Sequence, residues 1–186
     1  MNSSHERYSP EGQRGVTLIE QIMVIVIASV LACIAVPSLW HLLGSNKVRV
    51  AQTDLIATLQ HARALAVQTG RPTLACPTRD GQRCSAEVLW DGGWLVGFRG
   101  QQAAQLDGPP QRNHSNSSTD LTIQSTAGRR LTQFQPDGSA GGNNLTLLIC
   151  RRGDASHVLG VKVSNVGRVR GYTPTTDEAS QCASVR

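Results

Sequence analysis

One carboxylate stands at the start of a long apolar segment. Glu20 precedes a run of apolar residues from Ile22 to about Leu43. An ionised carboxylate in hydrocarbon costs about 2.5–3.5 kcal/mol on insertion scales, so a chain that keeps one needs a compensating charge. Cleavage between Gly15 and Val16 would create that charge, a free amino terminus with Glu20 as the fifth residue of the shortened chain. The sequence therefore predicts a charge pair at Glu20, and a solvated acid near a membrane surface is the alternative.

A second group with recognisable chemistry is a pair of arginines near the C-terminus. Arg168 and Arg170 alternate with small and apolar residues in the segment that begins at Gly167. Residues two apart in a strand share a face, so the two side chains would lie about 7 Å apart, which approximates the phosphate spacing along a DNA strand. Lys162 is expected opposite Arg170 across a hairpin. Guanidinium groups bind phosphate in paired hydrogen bonds, so the pattern indicates a phosphate-binding face; an ordinary solvated strand face is the alternative.

A further basic group is expected elsewhere in the domain. Simple meander geometry places it at the opposite end of the strands, roughly 20 Å away for six residues. It would either extend a track of phosphate contacts or be solvated. The net charge of +5 favours anionic partners, and an aromatic content of 4% favours backbone contact over base stacking. The group consists of Arg129, Arg130, Arg151 and Arg152.

No sequence pattern indicates an enzyme. The chain has no nucleophile elbow and no paired CxxC, and its five histidines are scattered. The glycine-rich stretch 137–144 lacks the Gly-Lys-Ser/Thr that would make it a phosphate loop. We therefore predict no catalytic residues, no cofactor and no metal site.

The cysteines predict disulfides in an oxidising compartment. Cys33 lies within the apolar segment, and four others lie beyond it, which allows three pairings that sequence alone does not select. Pairing between neighbours in sequence is favoured, as Cys76–Cys84 and Cys150–Cys182.

The N-terminal region divides into a leader and an apolar helix. A secretory signal peptide would have a positive first region and a short apolar core, whereas residues 1–15 are charge-balanced and the apolar run is long enough for a full span of about 20 residues. A plain membrane anchor is the other alternative. We predict a leader at 1–15, a transmembrane and assembly helix at 16–43 and a globular domain at 44–186.

The helix is expected to continue into the globular domain over 44–69. It would end at Gly70, with Pro72 just beyond. Pro37 would kink it. The apolar stripe that predicts this continuation has helical spacing and consists of Val48, Ala51, Leu55, Leu59, Ala62 and Ala66.

The remaining residues, 73–186, read as β-rich. Two apolar runs flank Asp91-Gly92 and predict a hairpin of 87–90 with 93–98. Residues 101–119 are rich in Gln, Asn, Ser, Gly and Pro and predict a mobile loop. Further strands are expected at 73–76, 121–125, 131–135 and 145–150, and a last hairpin pairs 157–163 with 168–172.

The leader, the Gly15 cleavage point, Glu20 and the apolar helix together resemble the type IV prepilin signature. One departure is Val16, where the family commonly has Phe. Three features of the globular part resemble the GspH/FimT family of minor pilins and pseudopilins. They are the Cys-Pro-x-x-Asp-Gly-x-x-Cys loop that starts at Cys76, the Trp90 and Gly93-Trp94 segment, and the late Gly-Arg-x-Arg.

This resemblance implies an α+β, type IV pilin-like fold with a long N-terminal helix on an antiparallel sheet. It implies cleavage and N-methylation at Gly15 and Val16 by a prepilin peptidase, and pairing of Glu20 with a neighbouring subunit. The protein would reside in the inner membrane with its globular domain in the periplasm, and then join other pilins in an extracellular pilus. FimT-like minor pilins carry this Gly-Arg-x-Arg in the C-terminal region and are implicated in DNA uptake, so the resemblance implies DNA binding by Gly167, Arg168 and Arg170. The hairpin geometry adds Lys162 to this site, and the low aromatic content predicts binding without sequence preference. A structural pseudopilin of a type II secretion filament is the alternative; an adhesin that uses the 101–119 loop is a third reading.

Overall fold

The structure is a computed structural model that describes residues 17–102, 104–115, 120–126 and 128–185, without the side chains of 34–45. The predicted leader and the cleavage residues Gly15 and Val16 lie outside the described residues. The chain divides into two compact units, Met1–Leu42 and Leu43–Arg186. In the portion that is described, no helix combines the length and apolarity needed to cross a membrane.

The first element is a long helix, α1 (Leu18–Thr69). Glu20 lies in its first turn with an exposed side chain, and the backbone N–H of Glu20 donates to Oγ1 of Thr17 at 3.4 Å. The helix ends where the sequence predicted, because Gly70 adopts φ +65°, a left-handed conformation that terminates helices. The predicted apolar stripe is buried at every position: Val48, Ala51, Leu55, Leu59, Ala62 and Ala66.

The second unit contains two four-stranded antiparallel sheets and a short C-terminal helix. The strand orders are β3-β2-β1-β5 in the first sheet and β4-β6-β7-β8 in the second. The predicted α+β class is therefore confirmed, and the strands form two sheets where the sequence suggested one. The elements are β1 (Thr73–Pro77), β2 (Gly93–Phe98), β3 (Arg112–Ser115), β4 (Leu121–Ser125), β5 (Thr132–Phe134), β6 (Leu145–Arg151), β7 (Asp154–Val163), β8 (Val169–Tyr172) and α2 (Thr176–Ala183).

The main core lies between the stripe of α1 and the inner faces of both sheets. Trp94 and Phe134 contribute from the first sheet, and Leu147 and Val161 from the second. Trp94 is fully buried, and its indole N–H donates to Oγ1 of Thr58 on α1 at 3.2 Å, so its polar group is satisfied. Because both sheets pack their inner faces against α1, this helix fixes the positions of both sheets, and the outer face of each sheet points away from the core.

The predicted hairpin around Asp91-Gly92 is wrong. The segment before the turn pairs with β4: the backbone N–H of Trp90 donates to the carbonyl of Ile123 at 2.7 Å, and Leu89 bridges Gln124. β2 has β1 on one side and β3 on the other, so neither of its edges is free for residues 87–90. The Asp91-Gly92 turn therefore carries the chain from one sheet to the other.

Two further expectations are corrected. The region 101–119 contains β3, whose Arg112–Ser115 pair with Gly93–Val96 of β2, so it is not a loop throughout. The helix α2 was not predicted. Its signal was present in the sequence, because Thr175 and Glu178 form a capping box in which each side chain accepts the other residue's backbone N–H.

Candidate nucleic-acid interface

The β7–β8 hairpin brings two of the predicted site residues side by side. Lys162 and Arg170 are directly opposite partners in the strand register, as the sequence predicted. Their neighbours Val161 and Val163 are buried, and Val169 packs against the same core. Because side chains alternate along a strand, Lys162 and Arg170 project from the outer face of the sheet, where both are exposed.

The turn before β8 holds Arg168 in a defined backbone geometry. Ser164 donates its N–H to the carbonyl of Arg168 at 3.0 Å, and the Arg168 N–H donates to Oγ of Ser164 at 3.1 Å. Gly167 closes the turn with φ +77°, and its N–H donates to the carbonyl of Ser164 at 2.8 Å. The side chain of Arg168 is exposed, so the turn fixes the backbone and leaves the guanidinium available.

Gly167 is required by packing as well as by its dihedral angle. A Cβ atom there would collide with the carbonyl oxygen of Gly138. That carbonyl accepts the Nε–H of Arg63, on α1, at 2.9 Å. A backbone bond from the N–H of Ala140 to the carbonyl of Asn165, at 2.8 Å, ties the same two turns together. The turn that precedes Arg168 is therefore clamped to α1.

The three predicted cations are not neutralised by ion pairs. Among the described residues, no carboxylate lies within 4.0 Å of the charged groups of Lys162, Arg168 or Arg170. The ammonium of Lys162 stands 5.6 Å from the centre of the Tyr172 ring, a distance suited to a cation–π contact. These charges remain available to an external anion.

The outer face beside these cations is covered by α2. Cys150 and Cys182 form a disulfide and are buried with Leu148 and Val158 in a second apolar cluster. Cys76 and Cys84 form the other disulfide, so the structure has the pairings that the sequence analysis favoured. Cys150–Cys182 ties the chain that follows β8 back to β6.

Tyr172 connects β8 to α2. Its hydroxyl donates to Oε1 of Glu178 at 3.2 Å. Burial, followed by the charge and the hydrogen bond of Glu178, raises the pKa of Tyr172 to about 12. The pKa of Glu178 is held below its usual range, chiefly by the backbone N–H of Thr175, with a smaller contribution from the charge of Lys162. Tyr172 is therefore a neutral structural group at neutral pH.

Two members of the second basic group, Arg151 and Arg152, lie at the end of the strands where the sequence analysis placed them. Both have carboxylates beside their charged groups. Arg152 pairs with Asp91 at 3.2 Å, and Arg151 lies 3.9 Å from both Asp120 and Asp154. Arg151 pairs with Asp154 in the strand register, at the end of β6 and β7 away from Lys162. Because nearby carboxylates offset their charges, these two arginines should attract phosphate less strongly than arginines without ion pairs.

The other half of that group was misplaced. The guanidinium of Arg129 lies 3.4 Å from Oδ1 of Asn144, two residues before Thr146, which is the register partner of Lys162. Arg129 and the exposed Arg130 thus follow β4 at the end of the sheet that carries Lys162. The expectation of one group at the opposite end was wrong because β4 and β6 run antiparallel, which returns the chain to this end before Arg129.

Sequence reasoning missed Arg63. Arg63 lies off the apolar stripe of α1, and its guanidinium lies against the backbone of Gly167. Arg63 and Gly138 are 75 residues apart, so no local signal joins them.

The comparisons with known proteins agree with this architecture. A long N-terminal helix whose C-terminal half packs on antiparallel sheets defines a pilin-like protein. The family described as Type II transport protein GspH matches residues 51–167, and the chain belongs to this family of minor pilins and pseudopilins. The predicted GspH/FimT resemblance is thereby confirmed.

Two solved structures of the type IV minor pilin FimU from Pseudomonas aeruginosa have a similar fold. The crystal form in space group P21 matches with a TM-score of 0.58 and 22% identity, over 74% of this chain and 96% of the FimU chain. The form in space group P65 matches with a TM-score of 0.55 and 22% identity, over 73% and 98%. No curated protein matches the chain in sequence.

Proposed function

We propose that this chain is a minor type IV pilin that binds extracellular DNA without sequence preference and supports DNA uptake. The observation that carries the proposal is the group of Lys162, Arg168 and Arg170, three exposed cations of the β7–β8 hairpin that form no ion pair within 4.0 Å with any described carboxylate. Arginine presents a planar fork suited to phosphate oxygens, and Gly167 keeps the turn in place. The arginines at the other end of the strands are engaged in ion pairs and serve here as an internal comparison.

In the same proposal, the protein reaches a filament by cleavage, methylation and assembly with other pilins. A prepilin peptidase cleaves after Gly15 and the new amino terminus at Val16 is methylated. The protein stays in the inner membrane, with its globular domain in the periplasm, until Glu20 pairs with the amino terminus of a neighbouring pilin during assembly. The exposure of Glu20 in the first turn of α1 supports this role, because the carboxylate is free to meet another chain.

A gel-shift titration of the full chain in detergent micelles with unrelated duplex sequences tests the DNA site. If each of the three cations neutralises one phosphate, log affinity falls against log salt with a slope of roughly −2 to −3, and sequence has little effect. The double variant Arg168→Gln with Arg170→Gln should lose most binding. The control, Arg151→Gln with Arg152→Gln, should lose less. Retention of both disulfides checks that each variant is folded.

A structural pseudopilin in a secretion filament is the second candidate, favoured by the description of the family as a type II transport protein. Wild-type DNA affinity in the Arg168/Arg170 variant at moderate salt would put the DNA site elsewhere or nowhere. The pseudopilin function would then be preferred.

A further inference from the structure

A groove lies between α1 and the turn that carries Arg168. Its volume is about 500 Å³, within the range of small-ligand sites, about 300–1,000 Å³. One wall is the C-terminal part of α1, from Gln60 to Gln68, and the other is the backbone and side chains from Gly167 to Val169. Both walls belong to the second compact unit, and the clamp between Arg63 and Gly138 holds them together.

The lining of the groove includes two cationic side chains. Arg63 and Arg168 both line it, and no carboxylate in the described part of the chain lies within 4.0 Å of either guanidinium. Arg63 uses its Nε–H for the carbonyl of Gly138, which orients the guanidinium beside Gly167, the residue before Arg168. Two guanidinium groups in one groove favour an anionic ligand over a neutral one, and their planar sets of N–H donors suit phosphate oxygens.

The remaining lining is aliphatic and amide in character. Ala64, Val67 and Val169 supply apolar surface, and Val67 is 53% exposed although it lines the groove. Gln60 and Gln68 supply amide donors and acceptors. A nucleotide has the complementary parts: an anionic phosphate, an apolar base face and polar base edges.

We propose that this groove binds one unpaired nucleotide of a DNA strand, with Arg63 and Arg168 on its phosphate and its base against Val67 and Val169. The inference rests on the proposed DNA-binding function and specifies which form of DNA is preferred. In a duplex, the bases are stacked and paired, and withdrawing one costs a few kcal/mol. Single strands, frayed ends and overhangs avoid that cost, so the protein prefers them to blunt duplex.

The test compares the full chain in detergent micelles on a single-stranded oligonucleotide and on a blunt duplex of equal length, at one ionic strength. We expect the single strand to bind about 5- to 10-fold more tightly, at the low end of the range for stacking of one base on an aromatic side chain. Val67→Glu places a carboxylate in the groove and should bring the ratio of single-strand to duplex affinity close to one. Val50→Glu is the matched control: it makes the same change on the same helix, at a residue 50% exposed and outside the groove, and should preserve the ratio.

Arg63 is tested by two substitutions because it also holds Gly138. Arg63→Gln should weaken single-strand binding by about 10-fold and reduce the salt slope by about 0.7, the value for one lost phosphate contact on a single strand. Arg63→Lys keeps the charge and should recover most of the slope. A slope unchanged in Arg63→Gln, with folding intact, would overturn the assignment of Arg63.

Competition separates a nucleotide site from a bare phosphate site. Deoxyadenosine monophosphate should displace the single strand at a concentration about 10-fold lower than inorganic phosphate, because base contacts add to the phosphate contact. Equal displacement by the two competitors overturns the proposal. So does equal affinity for single strand and duplex in the wild type. Absence of all DNA binding overturns the proposed function itself, and duplex binding without a single-strand preference overturns only the groove.

Discussion

The α-carbon of Gly167 packs directly against the carbonyl oxygen of Gly138, and this contact fixes the turn that presents Arg168. The same carbonyl is bonded to Arg63 of α1, so three distant segments meet at one backbone oxygen. The arginine motif is therefore a rigid feature of the second compact unit, and its glycine has a structural role that does not depend on any ligand.

Gly167→Ala should destabilise the protein and displace the arginines. The added methyl group would force the Gly138 backbone to move, and the alanine would also have to adopt φ +77°. Together these two effects cost about 3 kcal/mol. Gly142→Ala is the matched control, since Gly142 has φ +85° but open space around its Cβ position, and it should cost about 1 kcal/mol. Denaturant unfolding measures both. Equal losses in the two variants would show that the Gly138 contact contributes nothing.

The two disulfides should differ in their effects. In the chain-entropy model, loss of Cys150–Cys182, separated by 32 residues, costs about 3.7 kcal/mol, and loss of Cys76–Cys84, separated by 8, costs about 2.5 kcal/mol. Paired Cys→Ala variants test this by denaturant unfolding. Hydrogen exchange should accelerate in α2 and β8 only when Cys150–Cys182 is removed. DNA affinity should fall in that variant and stay unchanged in the other; the reverse pattern would contradict the link between α2 and the arginines.

Tyr172, the tyrosine beside the cations, should lose its proton at a higher pH than an ordinary tyrosine. The pKa of Tyr172 is about 12 in the folded protein against about 10 for an ordinary tyrosine, so the folded state holds this proton more tightly than the unfolded chain. Its contribution to stability is complete below about pH 10 and is lost as pH rises towards 12. In a Tyr8→Phe background, which leaves Tyr172 as the single tyrosine, tyrosinate absorbance should show a midpoint well above 10.

The same titration identifies the cause of that shift. Glu178→Gln removes the negative charge and should lower the midpoint, although burial keeps it above 10. Tyr172→Phe should flatten the stability profile between pH 10 and 12. A wild-type midpoint near 10 would mean that the phenol is solvated and that α2 does not cover it.

Processing and assembly provide a test at the other end of the chain. Under the proposed processing, Gly15→Val should trap the full-length precursor, because a bulky β-branched side chain would replace the small residue before the cut. Glu20→Val should be cleaved normally but enter filaments poorly, since the proposed charge pair with a neighbouring amino terminus would be lost. Mass spectrometry of the N-terminus and filament content measure the two effects. A mature terminus at Val16 in the Gly15→Val variant contradicts the cleavage assignment, and normal incorporation of Glu20→Val removes its assembly role.

The sequence by itself determined the elements governed by local rules. The apolar stripe of α1 repeats with helical period, and Gly70 adopts the conformation that ends a helix, so both were predicted correctly. The last hairpin was also predicted, with Lys162 opposite Arg170, because a short turn between two strands leaves few possible registers. Each of these outcomes depends on residues that are close together in the chain.

Only the tertiary structure decided which distant segments meet. Apolar strands of similar length pair equally well by local criteria, and the choice depends on the whole core. That choice gave β2 the partners β1 and β3, and it divided the strands into two sheets. It moved Arg129 to the end that carries Lys162 and placed Arg63 beside Gly167. The sequence therefore identified the cations near the C-terminus, and long-range packing determined which other cations stand beside them and which are neutralised by acids.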